Sequence, residues 1–276
     1  MSKESIRKQV RERYAQVARE PQSCCGPASS CCGSSNSAKG IAEKIGYNEE
    51  DLTSVPRDSN LGLGCGNPVA LASLKPGETV LDLGSGAGFD CFLAAARVGA
   101  TGRIIGVDMT PEMLMKAREN ARKGGYTNVE FRLGEIEHLP VADHSVDVIL
   151  SNCVINLSID KAQVFREAFR VLKSNGRLMV SDVMLLKPLP EFLQQSVPAY
   201  VGCIAGAMQK DEYIQTVRKA GFQDVHIIKE TPFSLECVRT DPVAQAVIEN
   251  RKISPQELTE IERSIVSIHL SGRKIR

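Results

Sequence analysis

The stretch TVLDLGSGAGFD (79–90) decides the fold. Its first half, TVLDLG, is a short apolar run bounded by a glycine loop, which predicts a buried strand. The loop GSGAG follows at once, and CFLAAARVG reads as a helix opening from it. Glycines in such a loop let the backbone turn tightly and approach a ligand closely. The next apolar run, RIIGVDM, is a second strand and ends in an acid, Asp108, 20 residues beyond Gly88. An acid so placed accepts hydrogen bonds from ribose hydroxyls. Working outward, TPEMLMKARENARKGG is a helix with Thr110 as its N-cap, Pro111 in its first turn and Gly124-Gly125 at its end. VEFRLG is a third strand, SVDVILSN a fourth, residues 160–172 a helix and GRLMVSDV a fifth strand. Strands alternating with helices predict a parallel sheet covered on both faces.

The flanks are less regular. Residues 3–20 carry Ile6, Val10, Tyr14 and Val17 among alternating charges, the spacing of an amphipathic helix. Residues 210–222 are helical, DVHIIKETP is strand-like, and 255–265 form a helix capped by Ser254 before Pro255. The expected organisation is an N-terminal helix and Cys-rich loop (1–40), a cofactor-binding domain (41–183), a substrate-binding region (184–230) and a C-terminal region without assigned role (231–276). With 34 basic and 33 acidic residues, no net field draws the chain to nucleic acid or lipid. Aromatics are 5% with no Trp, which argues against base stacking. No apolar run is long enough for a membrane span, and the charged start MSKESIRKQVRERY shows no secretory signal. A cytoplasmic protein without nucleic-acid or membrane partners is expected.

Nine cysteines in a reducing compartment need explaining. Burial as small hydrophobes is the default, and it suits Cys91 on the first helix. It fails for Cys24-Cys25 and Cys31-Cys32, which lie in PQSCCGPASSCCGSSNS, a stretch unable to form a core. Adjacent pairs do not match zinc-ligand spacing either, so redox chemistry or metalloid capture fits them better. Cys153 ends the fourth strand, at the sheet edge where ligands bind. Cys65 lies in LGLGCGNP and Cys203 in PAYVGCIAGA, two segments able to reach that same edge. Three soft thiolates select a thiophilic centre. Structural zinc wants four ligands, whereas trivalent arsenic binds three sulfurs and keeps a lone pair. Cys237 receives no role. His138 and His144 read as solvent-facing loop residues, so no general base is evident.

Asp82 within the first strand, the GSGAG loop, LGEIEHLP and VDVILSN together resemble the class I S-adenosylmethionine methyltransferases over residues 75–183. That resemblance implies an α/β Rossmann-like sheet with helices on both faces, followed here by a smaller C-terminal α+β region. It implies that Asp82 helps build the cofactor site and that Gly84, Gly86 and Gly88 line the methionine moiety. Asp108 would hold the ribose, Met109 would pack on the adenine, Glu135 and the Ile136 backbone would reach its edge, and Asn152 would lie near the sulfonium. A dehydrogenase is the other glycine-loop reading. LGCGNP, SNCVINLS and YVGCIAGA narrow the resemblance to the arsenite S-adenosylmethionine methyltransferases over residues 40–230. In that family, cysteines placed like Cys65, Cys153 and Cys203 bind arsenic, and a fourth nearer the N-terminus enters a disulfide. The chain departs from the family there, offering two adjacent pairs; Cys32 is nearest in spacing, with Cys25, Cys24 and Cys31 as alternatives. The implied activity is methyl transfer to trivalent arsenic delivered as a thiol complex, with a cysteine disulfide relay reset by thioredoxin or small thiols. The competing readings are a methyltransferase of a quinone, sterol or thiol, and a non-catalytic thiol-metal or redox protein.

Overall fold

The structure, a computed structural model, describes residues 3–19, 38–194, 196–232 and 253–275. Cys24, Cys25, Cys31, Cys32 and Cys237 lie outside the described residues. One sheet contains β1 (Thr79–Leu83), β2 (Arg103–Asp108), β3 (Val129–Leu133), β4 (Val146–Asn152), β5 (Leu172–Leu185), β6 (Gln223–Pro232) and β7 (Ile265–Arg273). The helices are α1 (Lys3–Arg19), α2 (Ala38–Lys44), α3 (Glu49–Thr53), α4 (Pro68–Leu71), α5 (Phe89–Val98), α6 (Pro111–Gly124), α7 (Lys161–Val171), α8 (Glu191–Gln194), α9 (Val197–Val201), α10 (Lys210–Lys219) and α11 (Pro255–Arg263).

The strand order is β3-β2-β1-β4-β5-β7-β6, with β1 to β5 parallel and β7 antiparallel to both its neighbours. The chain runs outward from β1 to β3, then returns to place β4 on the other side of β1. That reversal opens a crevice at the carboxyl ends of β1 and β4, where ligands of open α/β sheets bind. Strand alternation sorts the side chains. Leu81 and Leu83 face α7 and α10 with Phe165 and Tyr213, while Val80 faces α5 and α6 with Phe92 and Leu114. Asp82 therefore shares the α5 face with Val80.

The predicted parallel core and the helices on both faces are present. Ser254 caps α11 in a full capping box with Glu257. Thr110 stands at the N-cap of α6 but its side chain makes no capping bond, a departure from the expectation. Asp108 Oδ1 accepts the Thr110 amide at 2.8 Å and so fixes the turn into the helix. The sequence reading also had no strand at β7. This strand pairs along the whole upper part of β5 and buries Val266, Ile268 and Leu270 in the main core. Among the described residues no helix is long and apolar enough to cross a membrane.

Because Ile268 is fully buried on β7, Ile268→Ala should cost about 2–5 kcal/mol. A urea titration checks this; an unchanged midpoint would remove β7 from the cooperative core.

Candidate active site

The glycine loop after β1 has φ values of +68° at Gly84 and +51° at Gly86. A Cβ at Gly84 would stand 2.4 Å from Val154 Cγ2, and one at Gly88 would stand 2.8 Å from the Phe131 and Phe92 rings. At Gly86 it would meet nothing within 4 Å. The three glycines, equivalent in the sequence reading, thus separate: two are required by packing within the protein, and Gly86 fronts open space. Asp108 Oδ2 accepts the Gly86 amide at 2.9 Å, which ties the end of β2 to this loop. Burial pushes the Asp108 carboxyl up from its ordinary value, against the pull of the Thr110 and Gly86 amides. Open space above Gly86 with a carboxylate at its side fits the ribose and amino-acid ends of S-adenosylmethionine.

The other predicted cofactor residues are placed as follows. Met109 follows Asp108 and packs against the cluster of Val10, Leu157 and Cys203. Ile136 is buried in the main core. Glu135 pairs with Arg7 and Arg11 of α1 at 3.6 and 3.5 Å. Asp82 lies under the loop and accepts the Cys91 thiol at 3.2 Å, while Cys91 is fully buried. Burial and then the charge of Asp90 push the Asp82 carboxyl up. Asn152, at the end of β4, turns its polar atoms toward the protein. Its Oδ1 accepts the Cys65 amide at 3.0 Å. Its Nδ2 lies 2.8 Å from Gly66 O and 3.0 Å from both Asp90 Oδ2 and Tyr47 Oη. The carboxamide is a bracket between β4, α5 and the Cys65 loop.

Cys65, Cys153 and Cys203 come together at the carboxyl end of β4. The Cys65 thiol donates to Ser181 O at 3.4 Å, and the Cys203 thiol donates to Cys153 O at 2.9 Å. Cys65 Sγ, Cys153 Sγ and an Asp182 oxygen all lie within 4.8 Å of one another. The thiols also contact each other in sequence, Cys65 with Cys153 and Cys153 with Cys203. Cys65 and Cys203 are buried and Cys153 is half-buried, so the cup opens at Cys153. Burial pushes the Cys65 thiol up to about 11, against contacts with Cys153 and Ser267. At Cys153 the Cys203 contact favours the thiolate, but Cys65 and burial outweigh it. Cys203 is raised by its contact with Cys153 and then by burial.

Several groups around the cup were not anticipated. Ser267 on β7 donates to Cys65 O at 2.6 Å. On the same face, His269 Nδ1 lies 2.6 Å from Ser181 Oγ, and a Cβ on Gly66 would strike this His269 ring at 2.4 Å. Asp182, fully buried, accepts from Asn156, Tyr213 and the Val183 amide at 2.7, 3.0 and 3.0 Å. Burial raises its carboxyl to about 7. Lys161 faces the same region, and burial lowers its ammonium despite the nearby charges of Asp182 and Cys203. A polar Ser-Asp pair inside the apolar strand RLMVSDVML was the available signal for Ser181 and Asp182. His138 and His144 are exposed.

Fold and crevice together define a class I methyltransferase. The methyltransferase-domain family matches residues 74–221, more than half the chain. An arsenic(III) S-adenosylmethionine methyltransferase from Chlamydomonas reinhardtii superposes with a TM-score of 0.62 and 32% identity, covering 86% of this chain and 73% of that one. The chain belongs to the arsenite S-adenosylmethionine methyltransferase family, whose methyl donor is S-adenosylmethionine. The arsenite methyltransferase of Halobacterium salinarum is 52% identical over 231 residues, 81% of this chain and 59% of that protein. That of Aquipseudomonas alcaligenes is 44% identical over 179 residues, 62% of this chain and 51% of that protein. The chain thus spans between half and three fifths of the length of these two relatives.

The separation of the glycines is testable. Gly84→Ala should unfold the loop region, lowering stability by about 2–3 kcal/mol from overpacking and left-handed strain. Gly86→Ala should keep most of the stability yet weaken S-adenosylmethionine binding at least tenfold, read by calorimetric titration. Equal cofactor affinity in Gly86→Ala and wild type would remove Gly86 from the groove.

Proposed function

We propose that this chain transfers a methyl group from S-adenosylmethionine to trivalent arsenic bound by Cys65, Cys153 and Cys203. One observation carries this reading: three thiols from three separate segments meet at the sheet reversal, beside the groove marked by Gly86 and Asp108. S-adenosylmethionine, when bound, supplies an electrophilic methyl group, which an arsenic lone pair accepts without any proton leaving the nucleophile. The chain therefore needs no general base there, in keeping with exposed His138 and His144. Its residues hold the arsenic, orient its lone pair and exclude water, so that proximity is the main source of rate.

The protonated state of the cup suits a metalloid delivered as a thiol complex. Each incoming cysteine loses its proton to an outgoing small thiol, so arsenic exchanges in without net proton release. A divalent cation would instead have to expel protons from thiols whose pKa values burial has raised.

Methyl transfer leaves arsenic pentavalent. Return to the trivalent state takes two electrons, which a cysteine pair supplies as two thiols become one disulfide and release two protons. Cys32 is the first choice as N-terminal partner, then Cys25, Cys24 and Cys31. Arg19, at the end of α1, is tied to Glu112 at 2.5 Å, and Ala38 O accepts from Asn60 at 3.3 Å. Cys24 lies five residues past Arg19, and five extended residues reach about 17 Å. Thioredoxin or small thiols would reopen the disulfide by exchange. A cycle reset by such reductants suits a reducing compartment such as the cytoplasm.

Single-turnover transfer from labelled S-adenosylmethionine to arsenite, with glutathione present, tests the assignment. Wild type should methylate, while Cys153→Ser and Cys203→Ser should each lose on the order of 100-fold or more. Near-normal turnover by either variant would sink the arsenic assignment. The proton argument has its own test. With Cys65 protonated well past neutrality, cadmium binding should tighten as pH rises, about tenfold per unit for each proton expelled. Arsenic affinity from the glutathione complex should stay nearly level between pH 6.5 and 7.5. Parallel pH dependences for both would refute a neutral exchange.

A further inference from the structure

The N-terminal helix α1 lies across the candidate site. Arg7 and Arg11 pair with Glu135, Arg7 also with Glu137, and Arg19 with Glu112. Residues 7, 11, 14 and 18 follow helical spacing, so Tyr14 and Ala18 extend the stripe begun by the two arginines. Ala18 is buried with Leu61, Ala87 of the glycine loop and Met113; Val10 is fully buried with Leu157 and Cys203. Tyr14 packs against both clusters, with Met109 and Cys153 beside it in the second. Its side chain thus links the wall of the cofactor groove to the thiol cup.

We propose that Tyr14 is a positioning residue for the methyl acceptor, its hydroxyl donating to the Cys203 sulfur while its ring joins the thiol cup to the glycine-loop wall. This rests on the arsenic reading above. The Tyr14 side chain packs on the cluster that holds Cys203, and its hydroxyl is enclosed with Cys203, Cys153 and Asp108 near enough to interact with it. A phenol is protonated at neutral pH, so Tyr14 is available as a donor. The Cys203 thiol proton is directed to Cys153 O at 2.9 Å, which leaves its sulfur free to accept from Tyr14. When arsenic replaces that thiol proton, the Tyr14 bond still fixes the direction of the Cys203 sulfur. With one sulfur of the pyramid oriented, the arsenic lone pair is oriented too.

Two variants and two readouts test this. Tyr14→Phe keeps the ring and removes the donor. It should keep the wild-type urea midpoint and bind S-adenosylmethionine within about twofold of wild type, while kcat for arsenite falls roughly tenfold, the scale of one hydrogen bond to a charged group. Tyr14→Ala should in addition raise the KM for S-adenosylmethionine, so that Phe rescues KM but not kcat. Iodoacetamide labelling of arsenic-free protein, located by peptide mass spectrometry, reads the contact without any turnover. Cys203 should label several-fold more slowly in Tyr14→Phe, and Cys65 at its wild-type rate. Unchanged kcat together with unchanged Cys203 labelling in Tyr14→Phe would overturn the proposal. So would a fall in kcat matched by a lowered urea midpoint or an equal rise in KM, which marks a purely structural tyrosine. If wild type failed to methylate arsenite, the arsenic reading would fall, and Cys203 labelling alone would decide for or against the tyrosine contact.

Discussion

Everything at the thiol cup depends on the Asn152 carboxamide. The Cys65 loop precedes the sheet and has no strand of its own to fix it. Asn152, at the last position of β4, fixes it by accepting the Cys65 amide and facing Gly66 O. The same carboxamide is turned so that its amino group also meets Asp90, which in turn accepts the Tyr47 hydroxyl at 2.6 Å. Burial raises the Asp90 carboxyl to about 6, while bonds from Tyr47 and Asn152 act to keep it ionised. The next residue after Asn152 is Cys153. One half-buried side chain therefore ties the Cys65 loop to the residue before Cys153. An amide with every polar atom matched is held firmly, because each bond broken leaves a polar group without its partner.

The backbone tells the same story through strain. Cys153 and Cys203 have φ values of +60° and +65°, in the left-handed region that costs a non-glycine residue about 1–3 kcal/mol. Glycine would relieve that cost at either position, yet a side chain stands at both. Backbone bonds keep the conformation: the Cys153 amide donates to Ser181 O on β5 at 2.8 Å, and the Cys203 amide to Tyr200 O in α9 at 2.9 Å. The left-handed turn at Cys153 ends β4 abruptly and redirects the chain away from the sheet. The sulfur is thereby carried off the strand axis toward the crevice. Strain concentrated at two of three facing cysteines favours a role for these side chains beyond filling space.

Much of this was legible in the sequence, and the parts that were not have physical reasons. Glycine loop, strand-end acid and alternating elements are local signals, and they gave β1 through β5 and the crevice. Cys65, Cys153 and Cys203 were legible because a strand end and two flanking segments can bring their thiols to the sheet edge where ligands bind. Asn152 was legible as a strand-end residue, but the partners of its carboxamide were not, since a sequence does not say which way a side chain at a strand terminus turns. The β7 strand was missed although VSIHLS alternates apolar and polar residues from Val266 to Ser271. Its partner, β5, is distant in sequence, and its polar positions looked like a surface face. They are buried instead: Ser267 and His269 support the Cys65 loop from below. Tyr14 was counted only as one apolar position of an amphipathic helix, because a ring's hydroxyl leaves no trace in periodicity.

Two of the missed parts, β7 and the Tyr14 hydroxyl, come from opposite ends of the chain. The parallel sheet alone supplies Cys153 and the cofactor groove. The loop before it adds Cys65, the segment after it adds Cys203, β7 buttresses Cys65, and α1 closes over Cys203 and Met109. A general methyltransferase scaffold therefore becomes a thiol cup only when both termini dock on it. Loop closure between such distant segments is costly in chain entropy, so the cup is absent from the unfolded chain, where each thiol is solvated and free to ionise. In the folded state Cys65 and Cys203 are buried, their thiols bonded to backbone carbonyls, and burial pushes the Cys65 thiol up to about 11. Folding thus gathers thiols from three separate segments into one cup at the sheet edge. The directed contacts around it, from Asn152, Ser267 and Tyr14, all act on cysteines rather than on solvent, and this is where the methyl acceptor would take its orientation.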